Sequence, residues 1–466
     1  MNRKLLGLLA LCAVVLDGCT PLRLYHPCSR DNCQMLVDAY YKSQAKGAAS
    51  GGGAGSPAEI HYKYGFVEFD EYGNLLQDAA FENLLAEVRA IKRPVLMVVY
   101  VHGWNHSAEE GDDDVKEFKL AMRNIAAMNA SDNRDVVGVY VGWRGSATHV
   151  PLLQRLTFWD RKSTAHNVGS GAVSEVLLRL DKENSRRKQA YPAGQGQDGS
   201  RLVFVGHSFG AAVLYSALAP SLIDRFVQSG NFDPQASPTQ TGCSVAPLQT
   251  RTVGDLVVLI NPAFEAMRFS TLHKLSQHCS FSDKQPPLIA VITGRNDWAT
   301  GIAFPLARGG RAAFQKYSVY GDNHDEGYWA NTKALGHYVP YLTHTLASSS
   351  SARSKGANTL EGCAQYIDPN RQAIRQGFKG YINDGNSHTL SIAPKPAVNP
   401  PTAEAVPAKP FTLTLSPIRS PEVKYPAHNP VLNILAEPPI IDGHGGIYSC
   451  ELMTFVGGLV TEGIVP

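Results

Sequence analysis

The sequence lacks any marked excess of charge of one sign. Its 466 residues include 43 Lys and Arg against 41 Asp and Glu, which leaves a net charge of +2. Because nucleic-acid-binding domains need a clustered basic surface, this balance gives no reason to expect a nucleic-acid partner. The cysteines also lack the close spacing to histidines that indicates a zinc site, so no metal is expected. A chain of this length can bury a large core.

Long apolar runs are scarce, and the one at the amino terminus is too short to span a membrane by itself. A basic stretch, 1–4, precedes the apolar stretch 5–16, and Cys19 follows. This order resembles a bacterial lipoprotein signal, which implies removal of residues 1–18 and acylation of the Cys19 thiol. Asp17 departs from that pattern, because such signals usually carry a small or apolar residue there. The alternative is an ordinary secretory signal, and in either case the mature chain is expected to leave the cytoplasm.

The residue after the predicted acylation site indicates which membrane receives the anchor. Thr20 stands there, whereas lipoproteins kept in the inner membrane of Gram-negative cells commonly carry Asp. We therefore expect a protein of the cell envelope, attached to the outer membrane through the lipid on Cys19.

The cysteine count suits an oxidising compartment. Of the eight cysteines, Cys12 leaves with the predicted signal and Cys19 carries the lipid, so six remain. An even number predicts disulfides, although six cysteines allow fifteen pairings and the sequence does not choose among them. Cys28 and Cys33 form the easiest local pair. The six are Cys28, Cys33, Cys243, Cys279, Cys363 and Cys450.

Composition divides the chain after the signal into a linker and one main domain. Residues 19–58 are polar and include a glycine-rich run, which predicts a flexible entry linker. The main domain is expected to occupy 59–466. Within it, residues 345–430 contain a serine run and a proline-rich stretch, so we interpret them as an insertion before the last strand.

Apolar strand-like runs alternate with helical patterns along the main domain. The helical patterns include 112–128, which opens with acidic residues, and 169–188. Runs that are apolar on both faces are typical of a parallel sheet covered by helices. The sequence therefore predicts an α/β fold with a doubly wound, mostly parallel sheet. The predicted strands of this type are 95–101, 136–141, 202–205, 256–260, 288–292 and 431–436, with one or two edge strands in 59–70.

The strand at 202–205 leads into Gly206-His-Ser-Phe-Gly210 and then an alanine-rich helical run. A Gly-x-Ser-x-Gly turn between a strand and a helix lifts the serine hydroxyl into a cleft, and small neighbours make so sharp a turn possible. This pattern predicts Ser208 as a nucleophile.

A serine nucleophile needs two N–H groups that stabilise the oxyanion of the tetrahedral intermediate. The residue after the nucleophile, Phe209, supplies one. The loop after the strand 95–101 reads His102-Gly-Trp104, and we expect the Trp104 N–H to supply the other. The alternative is a simple turn with a packed tryptophan. His102 and His106 could share a metal, but no third ligand supports that interpretation.

The acid of a catalytic triad should follow a later strand. Asp297 stands in the polar loop after 288–292, and Glu265, one strand earlier, is the second candidate. The alternative role for Asp297 is that of a helix cap.

The base should lie on a loop after the last strand and before a closing helix. The strand 431–436, its following loop and a helix near 451–459 give this role to His444. His337 takes it if the sheet ends near residue 317, and His344 and His324 are further candidates.

With these residues in place, the chain resembles a poorly characterised esterase/lipase-like group of bacterial α/β-hydrolases. The resemblance rests on His102-Gly103, Gly142-Trp-Arg-Gly145, the Gly206–Gly210 elbow and the motif 158–162. It implies an α/β-hydrolase fold and hydrolysis of a small-molecule or lipid ester through an acyl-enzyme, without a cofactor. Trp104, Trp143 and Phe209 are expected to form an aromatic entrance. The alternative is a non-catalytic envelope scaffold on the same frame.

Overall fold

The computed structural model describes most of the predicted main domain. The described residues are 23–28, 36–37, 62–129, 134–145, 158–190, 199–232, 243–245, 253–282, 285–312, 324–349, 360–363, 386–393, 410–418 and 426–462. The predicted signal, Cys19, nearly all of the linker and most of the predicted insertion lie outside them.

A single large sheet forms the centre of the molecule, and most of its strands are parallel. From one edge to the other its order is β1-β2-β4-β3-β5-β8-β10-β14-β11-β13-β12. All neighbours from β2 to β11 run parallel, whereas β1, β12 and β13 pair antiparallel. The strands of this sheet are β1 (Leu36–Val37), β2 (Tyr62–Glu68), β3 (Val95–Val101), β4 (Asp135–Gly142), β5 (Arg201–His207), β8 (Leu256–Ile260), β10 (Ile289–Gly294), β11 (His344–Ser348), β12 (His388–Ile392), β13 (Phe411–Pro417) and β14 (Val431–Ala436). A separate small sheet contains β6 (Gly230–Phe232), β7 (Cys243–Val245) and β9 (Cys279–Ser280).

Helices cover both faces of the sheet, as expected for strands that are apolar on both sides. Along β3, alternate residues enter two separate cores, Val99 on one face and Val98 on the other. The helices are α1 (Asp78–Ala90), α2 (Asp113–Asn129), α3 (Phe158–Ser170), α4 (Ala172–Ala190), α5 (Phe209–Ser229), α6 (Ala266–His278), α7 (Phe304–Ala312), α8 (His324–Thr332) and α9 (Cys450–Glu462). The prediction of an α/β fold with a mostly parallel sheet is confirmed, and the helices on both faces are compatible with a doubly wound arrangement.

The chain between β10 and β14 extends the sheet. β11 lies parallel to β14, and the hairpin formed by β12 and β13 continues the sheet beyond it. Alternate buried and half-exposed residues in β13 indicate a strand with one face toward solvent.

One described disulfide lies near the carboxyl-terminal helix. Cys363 and Cys450 are bonded, and Cys450 is the first residue of α9. Cys28 and Cys279 each take part in a disulfide as well, and Cys33 lies outside the described residues. In the part of the chain that the structure describes, no helix combines the length and the apolar character needed to cross a bilayer.

Candidate active site

Ser208 occupies the turn between β5 and α5 in a strained conformation. Its φ is 56° and its ψ is −119°, a backbone conformation that residues other than glycine rarely adopt. The Ser208 N–H donates to the Ile260 carbonyl, and the Ser208 carbonyl accepts from the Ala211 N–H. These bonds hold the strained turn from both sides, so that the hydroxyl leaves the sheet at the carboxyl end of the central strands.

The two glycines of the elbow are required by close packing. A Cβ on Gly206 would lie 2.8 Å from the Ala211 Cα, and a Cβ on Gly210 would overlap the carbonyl oxygens of Val101 and His102. The first turn of α5 therefore packs directly against the end of β3. The prediction that small residues permit this turn is confirmed.

The structure brings together the three residues predicted as a triad. The imidazole of His444 lies between the other two: Nε2 is 2.7 Å from Ser208 Oγ, and Nδ1 is 2.9 Å from Asp297 Oδ2. Since a carboxylate only accepts, Nδ1 donates to Asp297 and Nε2 is left to accept the Ser208 hydroxyl proton. Ser208 and Asp297 are buried, whereas the His444 side chain is 27% exposed.

Asp297 is held as a charged acceptor. Its Oδ1 accepts from the N–H groups of Ala299 and Thr300, and its Oδ2 accepts from the Thr300 hydroxyl and from His444. Burial alone would raise the pKa of Asp297, but the hydrogen bond and charge of His444 and the bonds from Thr300 outweigh it and lower the pKa. The carboxylate therefore stays ionised beside the imidazole. Its bonds to the two N–H groups also make it the cap of the following helical turn.

Two side chains that the sequence did not single out fix the loop that carries His444. The His444 carbonyl accepts from His207 Nε2 at 3.0 Å and from Asn261 Nδ2 at 2.8 Å. Asn261 Oδ1 in turn accepts from the Gly294 N–H at the end of β10. A buried asparagine directly after a parallel strand was the available signal, because carboxyl ends of parallel strands meet at one edge.

The loop after β3, for which the sequence predicts an oxyanion site, lies against Ser208. A Cβ on Gly103 would lie 3.1 Å from the Ser208 Cβ, so the backbone of this loop packs against the elbow. Phe209 is the first residue of α5, where the helix dipole is positive. Trp143 holds the loop, because its N–H groups donate to His102 Nε2 and to the His102 carbonyl.

The predicted aromatic entrance is wrong for two of its three members. Trp143 and Phe209 are buried in the core, and only Trp104 is partly exposed. Phe209 lies in the first turn of α5, and because this turn packs against β3, the Phe209 ring is buried.

The other candidates take different positions. Glu265 pairs with Lys162, Arg268 and Arg308 rather than with His444. Burial alone would raise the pKa of Glu265, but the charge of Lys162 and its other partners lower it to about 2. His344 is buried at the start of β11 and bonds to the Thr343 hydroxyl.

His337 lies behind Asp297, with Nε2 at 3.1 Å from Thr300 Oγ1, and His324 begins α8. His102 Nδ1 donates to the Gly103 carbonyl, while His106 pairs with Asp112. His102 and His106, the two histidines that could have shared a metal, therefore each have a hydrogen-bond partner within the protein. Among the described residues, no group of His, Cys, Asp and Glu is placed to hold a metal ion.

Comparison with known proteins gave no match to a family model, a curated protein or a solved structure.

Proposed function

We propose that this chain is a serine hydrolase of the α/β-hydrolase fold that cleaves carboxylic esters through an acyl-enzyme. The observation that carries the proposal is the continuous hydrogen-bonded series from Ser208 through His444 to Asp297. The parallel strand order β2-β4-β3-β5-β8-β10-β14 also supports it. Ser208 follows the carboxyl end of β5, Asp297 that of β10 and His444 that of β14, so all three lie at one edge of the sheet. In this fold, residues 345–430 are an insertion before the last strand.

The chemistry follows from the proton positions. Ser208 Oγ attacks the ester carbonyl carbon while His444 Nε2 takes its proton, and Asp297 stabilises the imidazolium. The Phe209 and Trp104 N–H groups receive the developing oxyanion. The imidazolium then protonates the leaving alkoxide, which leaves an acyl group on Ser208. A water molecule that His444 deprotonates attacks this acyl group, and the imidazolium returns the proton to Ser208 Oγ as the free acid departs. These steps require no cofactor.

A fluorophosphonate probe tests the proposal directly, because an activated serine displaces its fluoride and keeps the phosphonyl group. We expect labelling of the wild type at Ser208, located by peptide mass spectrometry, and no labelling of Ser208→Ala. Hydrolysis of short p-nitrophenyl esters should fall by several orders of magnitude in that variant. Ser449→Ala is the matched control, since the Ser449 hydroxyl bonds only to the main chain near α9. An unlabelled but folded wild type would favour the scaffold interpretation.

We propose further that the enzyme is attached to the outer membrane through a lipid on Cys19, and that its substrate is a small-molecule or lipid ester. The sequence of the signal supports this location. Cys19→Ser should move the protein from the membrane fraction to the soluble periplasm. Cys12→Ser, within the predicted signal, is the control and should stay with the membrane. A Cys19→Ser protein that still sediments with membranes contradicts the anchor.

A further inference from the structure

The carboxylate of Asp297 has a second set of partners on the side away from His444. Thr300 Oγ1 donates to Asp297 Oδ2, the same oxygen that accepts from His444. A hydroxyl has one proton, and this one goes to the carboxylate. His337 Nε2, at 3.1 Å from Thr300 Oγ1, must therefore be the donor of its own bond. Hydrogen bonds thus run from His337 through Thr300 and Asp297 to His444.

Two close contacts fix His337 in this position. Its ring lies against the backbone of the π-helix Ala299–Ala303, where a Cβ on Gly301 would be 3.2 Å from the His337 Cε1. The 3-10 turn Leu335–His337 is itself packed against β10, because a Cβ on Gly336 would overlap the Thr293 side chain. Both glycines allow backbone to approach where any other side chain would push it away.

We propose that His337 and Thr300 are positioning residues of the hydrolase, which hold Asp297 Oδ2 at the His444 Nδ1–H. The inference rests on the proposed function. Thr300 is 2% exposed, so its hydroxyl is shielded from solvent. The carboxylate would then lose one charge-assisted bond on the oxygen that orients the imidazole. His337 acts one step further out, by directing the single Thr300 proton toward Asp297.

The expected kinetic effect falls on turnover. Positive charge develops on the imidazole as it takes the Ser208 proton, so the hydrogen bond to Asp297 is stronger in the transition state than in the ground state. Thr300→Val should lower kcat by roughly 10-fold or more and leave KM nearly unchanged. Thr300→Ser keeps the hydroxyl and should restore most of the activity. His337→Phe should lower kcat less, and His337→Gln, whose amide can donate, should restore it.

Matched controls separate positioning from general packing. Thr332→Val makes the same change at a buried threonine whose hydroxyl bonds to the Tyr328 carbonyl. His273→Phe makes the same change at a half-buried histidine that stacks on Tyr341. Both controls should lower thermal stability without changing kcat. Thermal unfolding of every variant shows which of them fold.

The double variant gives the decisive measurement. If His337 acts only through Thr300, the variant with Thr300→Val and His337→Phe should have the kcat of Thr300→Val alone. Fully additive losses, or an unchanged kcat in folded Thr300→Val, would overturn the inference. Fluorophosphonate labelling of the wild type is measured first, and its absence would overturn the proposed function and this inference together. Labelled wild type with unchanged variants overturns the inference alone.

Discussion

His207, the residue before Ser208, donates from Nε2 to the main-chain carbonyl of His444 at 3.0 Å. The two imidazole rings are 5.2 Å apart, and burial together with the charge of His444 lowers the pKa of His207 to about 3. A neutral His207 adds no positive charge beside the His444 imidazole, which becomes positive in the proposed mechanism. The elbow thus carries Ser208, the proposed nucleophile, and also holds the loop of His444, the proposed base.

Asn261 shares this carbonyl, which gives the first prediction. Asn261→Asp keeps the acceptor for the Gly294 N–H but replaces the donor to His444 with a carboxylate oxygen. Repulsion should displace the loop and lower kcat/KM by roughly 10- to 100-fold. The kcat/KM of both proteins for hydrolysis of a short p-nitrophenyl ester measures this effect.

The control for this change is Asn124→Asp, because the Asn124 amide also donates to a carbonyl, that of Leu360, and is buried. It should cost stability and leave kcat/KM unchanged. Equal activity in both variants would contradict a role for Asn261 in placing His444.

The sequence was enough to predict which three residues come together, because their order along the chain and their places after strands follow from the fold. Ser208, Asp297 and His444 could be selected in this way. Asn261, His207 and Thr300 could not be assigned roles, since each bonds to a loop whose conformation the sequence does not specify. The same limit applies to the helical pattern at 169–188, which the structure divides.

That helical pattern belongs to two helices. The break falls at Gly171, where a Cβ would lie 2.7 Å from the Tyr72 carbonyl oxygen. Just after the break, the Ala172 N–H donates to the Gly73 carbonyl, and no local periodicity indicates a contact with so distant a turn.

The second prediction concerns the elbow. Gly210→Ala places a methyl group onto the carbonyls of Val101 and His102, so α5 must move away from β3. Activity should be lost, with a lower thermal transition. Gly445→Ala, beside His444 but with open space around its Cβ, should fold normally and keep its activity. Loss of folding in Gly445→Ala alone would contradict the packing argument.

The third prediction distinguishes the two candidate acids. Asp297→Asn should lower kcat by roughly 10³- to 10⁴-fold, because the amide no longer selects the productive His444 tautomer. Glu265→Gln should instead destabilise the fold by about 3 kcal/mol or more, since Lys162 and Arg308 lose a buried counter-charge. Steady-state kinetics and urea unfolding of both variants measure the two effects. A stable but inactive Glu265→Gln protein would transfer the acid role to Glu265.

The last prediction concerns stability at low pH. Burial is the main cause that lowers the pKa of His166 and His207 to about 3 and that of His273 to about 4. In the unfolded chain a histidine titrates near pH 6.5, so below that pH the unfolded state binds protons that the folded state does not bind. The free energy of unfolding should therefore be highest above about pH 6.5 and should fall as the pH drops toward 4.

At pH 5 the loss is on the order of 2 kcal/mol for each such histidine. His166→Asn keeps a polar group near the Ser216 hydroxyl but cannot titrate, so urea unfolding at pH 7 and pH 5 should show a smaller loss. Ser216→Ala is the control, because it removes the same hydrogen bond and keeps the imidazole, and its loss should equal that of the wild type. If His166→Asn loses as much stability as the wild type, the buried imidazole at 166 does not contribute to acid destabilisation.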